Sequence, residues 1–379
     1  LSDTELSRLA ELGRAVEGFY REPRDVEWAL LGGTFLLLQA RPITTGSAAE
    51  RDAVRADVIA DVRRLADPGG TVWVRYNLSE VLPEPTPMTW AVVSRLLAAD
   101  GGFGAMNRDL GAAPDPALGS LSAFDLIAGR PMCNLARMPR MQFARAPFEY
   151  PFAALKADPR KALDPKPVLA PWRAGLLRLK PTVFADLAWQ TLAEKLKPAL
   201  GEAGAHAAVG ELALGAKPPV DADFADGVRR FAAGELDRDR FLRLFGHRCR
   251  NEMELSQPRW SEDPAAVARL AVKAGGPRPV GFEGVDAWPE IKQRGKLSDA
   301  DRPDVDRLRT YLGLREAAKH TLLLGYAVVR RALVELDRRF ALNGGVFFLV
   351  PAELDRLLAG DDLSATISGR RKRRQLELS

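Results

Sequence analysis

Apolar residues recur along most of this chain at helical rather than strand spacing. Leu6, Leu9, Leu12, Val16 and Phe19 mark a helix over 2–20, and Ser2 with Glu5 has the spacing of a capping box at its start. Two short apolar runs follow, 25–30 and 34–41, joined at Gly32-Gly33 and closed by Pro42, which reads as a β-hairpin. Val54, Val58, Ile59, Val62 and Leu65 predict a second helix over 48–67, ended by Pro68-Gly69-Gly70. A short strand is expected at 71–76. Pro83, Pro85 and Pro87 then exclude regular structure across 77–87. A helix is expected over 88–99, an irregular stretch with short helices over 101–170, and a helix over 172–200 interrupted at Pro181. Two helices are expected within 224–245, a short one at 265–273, and a loop-rich stretch over 275–303. The strongest periodic signal runs over 305–342, a helix of about ten turns. Gly344-Gly345 ends it, 346–350 reads as a small strand, and 353–358 as a last helix. The expected fold is mainly α: a helical central domain with a small N-terminal β-hairpin.

Parity sets the chemistry of that hairpin. A two-residue loop opposes Val26 to Gln39 and turns Glu27 to the other face. A three-residue loop, Leu31-Gly32-Gly33, puts Asp25, Glu27, Leu37, Gln39 and Arg41 on one face. Val26, Trp28, Leu30, Leu36, Leu38 and Ala40 then share the other. The second register gives one unbroken apolar face and is preferred, because a one-residue slip forfeits that burial. It sets a carboxylate, an amide oxygen and a guanidinium side by side. That set suits Mg²⁺ with a nucleotide, hard oxygens for the metal and Arg for phosphate. The same row also suits the solvent face of a half-buried hairpin.

Composition narrows the class. The chain has 379 residues, 46% hydrophobic and 28% charged, which excludes a largely disordered protein. Its longest apolar runs fall far short of the roughly 20 residues of a membrane span. Two cysteines, Cys133 and Cys249, exclude a disulfide framework and point to a reducing cytoplasm. With only three histidines they also make a closed zinc site unpromising. The net charge is +5, concentrated in Arg370-Arg371-Lys372-Arg373-Arg374. No aromatic residue interleaves that run, so a solvated helix or linker end is expected rather than a nucleic-acid surface. The first residue, Leu1, opens in the middle of a helical pattern, as expected of a piece of a longer protein.

Two clusters outside the hairpin carry candidate chemistry. His247, Arg248, Glu252, Glu254, Arg259 and Trp260 form the densest polar group. If extended, Glu252 and Glu254 share a side, and beside His247 they are candidates for acid–base work on an acceptor hydroxyl. Ion pairing with Arg248, Arg250 and Arg259 is the structural alternative. Met132, Met138 and Met141 with Phe143, Phe148 and Phe152 suit either an apolar acceptor pocket or ordinary packing.

Asp25-Val26-Glu27-Trp28-Ala29 followed by Leu37-Leu38-Gln39-Ala40-Arg41-Pro42-Ile43-Thr44 resembles the end of the ATP-grasp domain in the family of phosphoenolpyruvate synthase, pyruvate phosphate dikinase and rifampicin phosphotransferase. Asn77 to Pro83 with Thr86-Pro87-Met88-Thr89 is similar to that family's crossing into its central domain. Phe245 to Leu255, Pro258-Arg259-Trp260 and Glu262-Asp263-Pro264 resemble a segment of the rifampicin-phosphotransferase branch, in which Cys249 stands where Gly is usual. Arg315 to His320, with Phe347-Phe348-Leu349 and Glu353-Leu354, is similar to the branch's long helix and following turn. The match is thin from about 100 to 235.

The resemblance implies ATP and Mg²⁺ as cofactors, with Glu27 and Gln39 on the metal and, with Arg41, on the nucleotide phosphates. It implies transfer through a phosphohistidine to a small-molecule hydroxyl acceptor, rifampicin-like, held by Arg248, Arg259, Trp260, Met138 and Met141. None of the three histidines has the family's Ser-His-x-Ala context, so the phosphohistidine is expected on a domain outside this chain. The N-terminal part of the ATP-grasp domain is expected outside it too. His247, Glu252 and Glu254 remain the catalytic candidates here, and the chain alone is expected to be inactive. The expected organisation is the end of an ATP-grasp domain over 1–47, a linker helix over 48–70, a helical acceptor-binding domain over 71–360, and a basic linker over 361–379. A pyruvate-type acceptor and a non-catalytic helical scaffold are the alternatives.

Overall fold

The computed structural model describes the chain except for residues 21–23, 43–47, 110–111, 147, 164, 166–167, 170–184, 215, 217–222, 264, 268, 270–285 and 379. The described residues are mainly helical and fall into two compact units. One holds 1–66, 127–129 and 368–379; the other holds 67–126 and 130–367.

In the first unit, α1 (Asp3–Tyr20) opens on the expected capping box. The Ser2 backbone N–H donates to Glu5 Oε2 at 2.7 Å, and the Glu5 N–H donates to Ser2 Oγ at 3.3 Å. Strands β1 (Arg24–Leu31) and β2 (Thr34–Pro42) pair antiparallel, and α2 (Ala48–Leu65) follows. The loop is two residues, not three. Gly32 and Gly33 have φ of 57° and 79°, the left-handed pair that a tight hairpin turn needs. The extra residue sits instead in a bulge at Leu38, because Trp28 opposes Leu37 while Glu27 opposes Gln39. Parity therefore flips halfway along. Glu27 and Gln39 share a face as expected, but Leu37 opposes Trp28 and Phe35 opposes Leu30, so Leu37 leaves the Glu27 face for the Trp28 face. Trp28 and Phe35 meet edge to face, with ring centroids 5.2 Å apart.

The second unit begins with β3 (Trp73–Val74). Next comes α3 (Leu78–Val81), one helical turn where the prolines suggested none. The turn finishes before Pro83, so the prolines end it without forbidding it. Then come α4 (Pro87–Leu96), with Pro87 at its first position, and α5 (Gly102–Asp109). Strands β4 (Phe124–Ile127) and β5 (Arg130–Asn134) join β3 in a sheet of order β3-β5-β4 inside the stretch expected to be irregular. Strands this short carry too few residues to show alternation. β6 (Phe148–Glu149), α6 (Phe152–Ala157) and β7 (Val168–Leu169) complete that part.

Of the helix expected over 172–200, residues 172–184 lie outside the described ones. What is described is α7 (Ala185–Ala213), which runs past position 200 and breaks at Gly201, φ 71°. α8 (Phe224–Ala232) and α9 (Arg238–Phe245) match the expected pair, with Asp223 and Asp237 as their caps. The helix expected at 265–273 lies partly outside the described residues. α10 (Trp288–Arg294) occupies part of the stretch expected as loop.

The long helix is α11 (Arg302–Arg339), 38 residues. Its buried positions Val305, Leu308, Leu323, Tyr326, Arg330 and Leu333 keep the 3–4 spacing of one stripe. The N-terminal half packs Val305 and Leu308 against Leu192, Leu196 and Leu212 of α7 and Ile291 of α10. The C-terminal half packs Leu323, Tyr326 and Leu333 against Met88 and Val93 of α4 and against Leu255. Each fully buried Leu or Ile contributes about 1.5–3 kcal/mol. Residues 346–350 are not a strand. A 3₁₀ turn, Gly345–Phe348, forms because Asp337 accepts from the Gly344 and Val346 N–H groups at 2.8 and 3.1 Å. α12 (Leu354–Leu358) packs on the same core.

The basic run lies on α13 (Ser364–Leu378). Within the first unit its Lys372 pairs with Glu50 of α2, and Arg373 with Asp61 at 3.0 Å and Glu377 at 2.7 Å. No helix among the described residues is long and apolar enough to cross a membrane.

Candidate functional site

On the hairpin, Asp25 opposes Arg41 and Glu27 opposes Gln39. The Arg41 Nε–H donates to Asp25 Oδ2 at 2.8 Å, and its Nη2 lies 3.7 Å from Glu27 Oε1. The Asp25 hydrogen bond and charge raise the Arg41 pKa, so it is a permanent cation. All three charged side chains are about half exposed. The face thus offers one carboxylate and one amide oxygen to a metal, beside a guanidinium held in place by Asp25. No group of three or more His, Cys, Asp or Glu among the described residues could cage an ion. Mg²⁺ does not need one, because it binds through one or two protein oxygens, waters and substrate phosphates. The donor set fits.

The second cluster sits between α9 and α11. α9 ends at Phe245, and a Cβ on Gly246 would lie 2.3 Å from the Leu242 carbonyl, so only glycine makes that exit. The chain then loops out and back. The Trp260 N–H donates to the Arg248 carbonyl at 2.8 Å, and Ser261 N–H to the Gly246 carbonyl at 3.0 Å. Inside this loop Glu252 takes two cations, Arg248 and Lys319 of α11, each at 2.5 Å. Arg248 also lies over the Phe224 ring, 4.3 Å from its centre. Glu254 turns elsewhere. It accepts from Thr86 Oγ1 at 2.9 Å, Thr89 Oγ1 at 2.8 Å, and the Thr86 and Ser256 N–H groups at 3.0 and 2.8 Å.

Arg259 is buried and donates Nη1 to Cys249 Sγ at 2.7 Å and to the Glu252 carbonyl at 2.9 Å. Cys249 has no left-handed φ, so the backbone there accepts a side chain without strain. Burial pushes its thiol pKa up. His247 packs edge to face with His320 of α11, centroids 4.6 Å apart. Burial, then the charges of His320 and Arg248, lower the His247 pKa to about 4, so it is neutral at pH 7.

The structure brings His247, Arg248, Glu252 and Arg259 into one loop. It does not set Glu252 beside Glu254 as a carboxylate pair. Residues 250–256 are turns, so the parity of an extended segment does not apply, and each carboxylate has its own partners. Trp260 joins a core of Phe241, Phe245, Val267 and Leu236. Met138 and Met141 belong to a separate apolar cluster with Leu118, Phe103 and Phe124, and Met141 is 2% exposed. Thr86, Thr89, Lys319, Tyr326 and Arg330 join the loop's surroundings without having been singled out in the sequence for these roles. A Thr-x-x-Thr at the first turn of a helix was the one available signal for the first two, because such hydroxyls seek a local acceptor.

Comparison with known proteins follows the same division. Residues 1–59 match the family described as pyruvate phosphate dikinase, AMP/ATP-binding domain, and residues 188–272 match the rifampicin phosphotransferase fourth domain. The rifampicin phosphotransferase of Streptomyces sviceus is 23% identical over 91% of this chain and 49% of its own length. That of Bacillus subtilis is 22% identical over 98% of this chain and 53% of its own. A probable phosphoenolpyruvate synthase of Methanothermobacter thermautotrophicus is 44% identical over 18% of this chain and 10% of its own. The chain spans about half the length of the rifampicin phosphotransferases it matches.

Proposed function

We propose that this chain, a relative of the phosphoenolpyruvate synthases and rifampicin phosphotransferases, supplies the final piece of an ATP-handling domain and the acceptor-binding domain of a phosphotransferase. In the whole enzyme ATP, water and the acceptor give AMP, phosphate and phosphorylated acceptor: one phosphoryl group passes through a histidine on a domain outside this chain to the hydroxyl of a bulky organic acceptor of the rifamycin kind, and the other goes to water. The breadth of the matches supports this acceptor class over pyruvate. The rifampicin phosphotransferases align with nearly all of the chain, the phosphoenolpyruvate synthase above with less than a fifth of it.

The observation that carries the ATP part is the hairpin face on which Glu27 opposes Gln39 and Asp25 opposes Arg41. Glu27 and Gln39 would hold Mg²⁺, which would offset the charge of the phosphates, and Arg41, braced by Asp25, would bind a phosphate oxygen. On the acceptor side, Arg248, Lys319 and Arg259 place positive charge beside the neutral His247. That imidazole, with a pKa of about 4, is a weak base at pH 7 and serves to position an acceptor hydroxyl rather than to hold its proton. Glu252 and Glu254 keep their charges in place within the loop. Trp260 packs beneath this loop with Phe241 and Phe245, whereas Met138 and Met141 lie in the separate apolar cluster.

The test has two arms. Rifampicin titrated into the 379-residue chain should quench tryptophan fluorescence saturably. The full-length protein should release AMP from ATP only when the acceptor is added, and Glu27→Ala or Gln39→Ala should slow that release by about 10²-fold or more. ATP hydrolysis to ADP, or AMP release indifferent to both substitutions, contradicts the assignment.

A further inference from the structure

Arg137, Arg248, Arg259 and Arg330 are the buried arginines among the described residues. Arg137 pairs with Asp125, Arg248 with Glu252 at 2.5 Å, and Arg330 with Glu262 at 2.7 Å. Arg259 is the most deeply buried of them at 1% exposure, and no carboxylate of the described residues lies within the 4.0 Å of an ion pair. Only its Nη1 is used; among the described residues Nε and Nη2 have no hydrogen-bond partner. The ring of Tyr326 lies beside it, 5.9 Å from guanidinium carbon to ring centre, and the Tyr326 hydroxyl is likewise buried, with no partner among the described residues. Burial, then the charge of Glu254, raises the Tyr326 pKa, which keeps that hydroxyl a donor.

We propose that the free edge of Arg259 and the hydroxyl of Tyr326 form a receptor for a small tetrahedral oxyanion, inorganic phosphate or a close analogue. A buried cation without a counter-charge is costly, and so is a buried donor without an acceptor, so a complementary group must bring both negative charge and acceptor oxygens. A cation brings neither, and a neutral hydroxyl brings an acceptor without the charge. The parallel N–H bonds of Nε and Nη2 match two oxygens of one anion. The phenol adds a donor outside the guanidinium edge, which suits a tetrahedral ion better than a planar carboxylate. The receptor goes beyond the transfer reaction proposed above and does not depend on it.

Equilibrium dialysis of the 379-residue chain against radiolabelled inorganic phosphate tests it, with sulfate, acetate and phenyl phosphate as competitors. One phosphate per chain is expected, displaced by sulfate and not by acetate. Displacement by phenyl phosphate as well would identify a phosphate ester as an equal source of the same group. Arg259→Met should weaken phosphate binding tenfold or more, and Tyr326→Phe several-fold, each having lost a charged or direct hydrogen bond. Tyr326→Phe conserves volume and carries the test where Arg259→Met does not fold. No saturable phosphate binding, or binding that Tyr326→Phe leaves unchanged, overturns the receptor, whether or not rifampicin binds or AMP is released.

Discussion

Glu254 shows how far a single side chain organises this protein. A buried carboxylate is tolerated here because two hydroxyls and two backbone N–H groups donate to it, from α4 and from its own loop. Glu254→Ala leaves those donors buried without an acceptor and should lower stability by about 3 kcal/mol or more, read by urea denaturation. Glu254→Gln, which keeps one acceptor oxygen, should cost about half as much. His247 gives a pH signature. It titrates at about 4 when folded against 6.5 as an ordinary histidine, so the unfolded chain takes up its proton first as the pH falls. Its contribution is therefore complete above pH 6.5 and lost between 6.5 and 4, a change on the order of 3 kcal/mol. His320, Arg248 and Arg259 are the groups facing it. His247→Gln should flatten the stability profile in that window. Both thiols should react with a disulfide reagent only after unfolding, because Cys133, with its pKa pushed up to about 12, and Cys249 are both buried. At this scale the sequence exposed the cluster but not its wiring. Two acids two positions apart read as partners only in a strand, and the loop is a series of turns.

Legibility improves at the level of elements where periodicity is long. α11 was readable because its 3–4 stripe persists for many turns, and α1 because its cap and stripe agree. The apolar run after Gly344-Gly345 was too short to separate strand from turn, and Asp337 decided it from outside the segment. The hairpin shows a compensation. The loop is one residue shorter than expected, yet the bulge at Leu38 puts Gln39 opposite Glu27, so the two share a face as expected although the turn differs. Gly33 at φ 79° is the residue that turn cannot lose. Gly33→Val should cost about 1–2 kcal/mol and remove amide-exchange protection from β1 and β2. Gly325 is the opposite case. It is exposed within α11, a Cβ there meets nothing within 4 Å, and Gly325→Ala should stabilise the chain by about 0.5–1 kcal/mol in thermal unfolding.

For the molecule as a whole, the net charge of +5 says less than its placement. The basic run lies along a helix and is partly answered by Glu50 and Asp61 of α2, while Arg259, deep in the second unit, has no ion-pair partner among the described residues. The mainly helical class and the family resemblance were legible because both rest on local pattern. The partner set of Glu254, whose donors Thr86 and Thr89 lie more than 160 residues away, was not, because no local spacing encodes it. The central claim is that Glu27, Gln39 and Arg41 belong to a machine that moves phosphate from ATP onto histidine. The full-length protein incubated with radiolabelled ATP should acquire an acid-labile, base-stable label, and Gln39→Ala should abolish it. A folded, complete protein that stays unlabelled, or whose label survives acid, contradicts that claim.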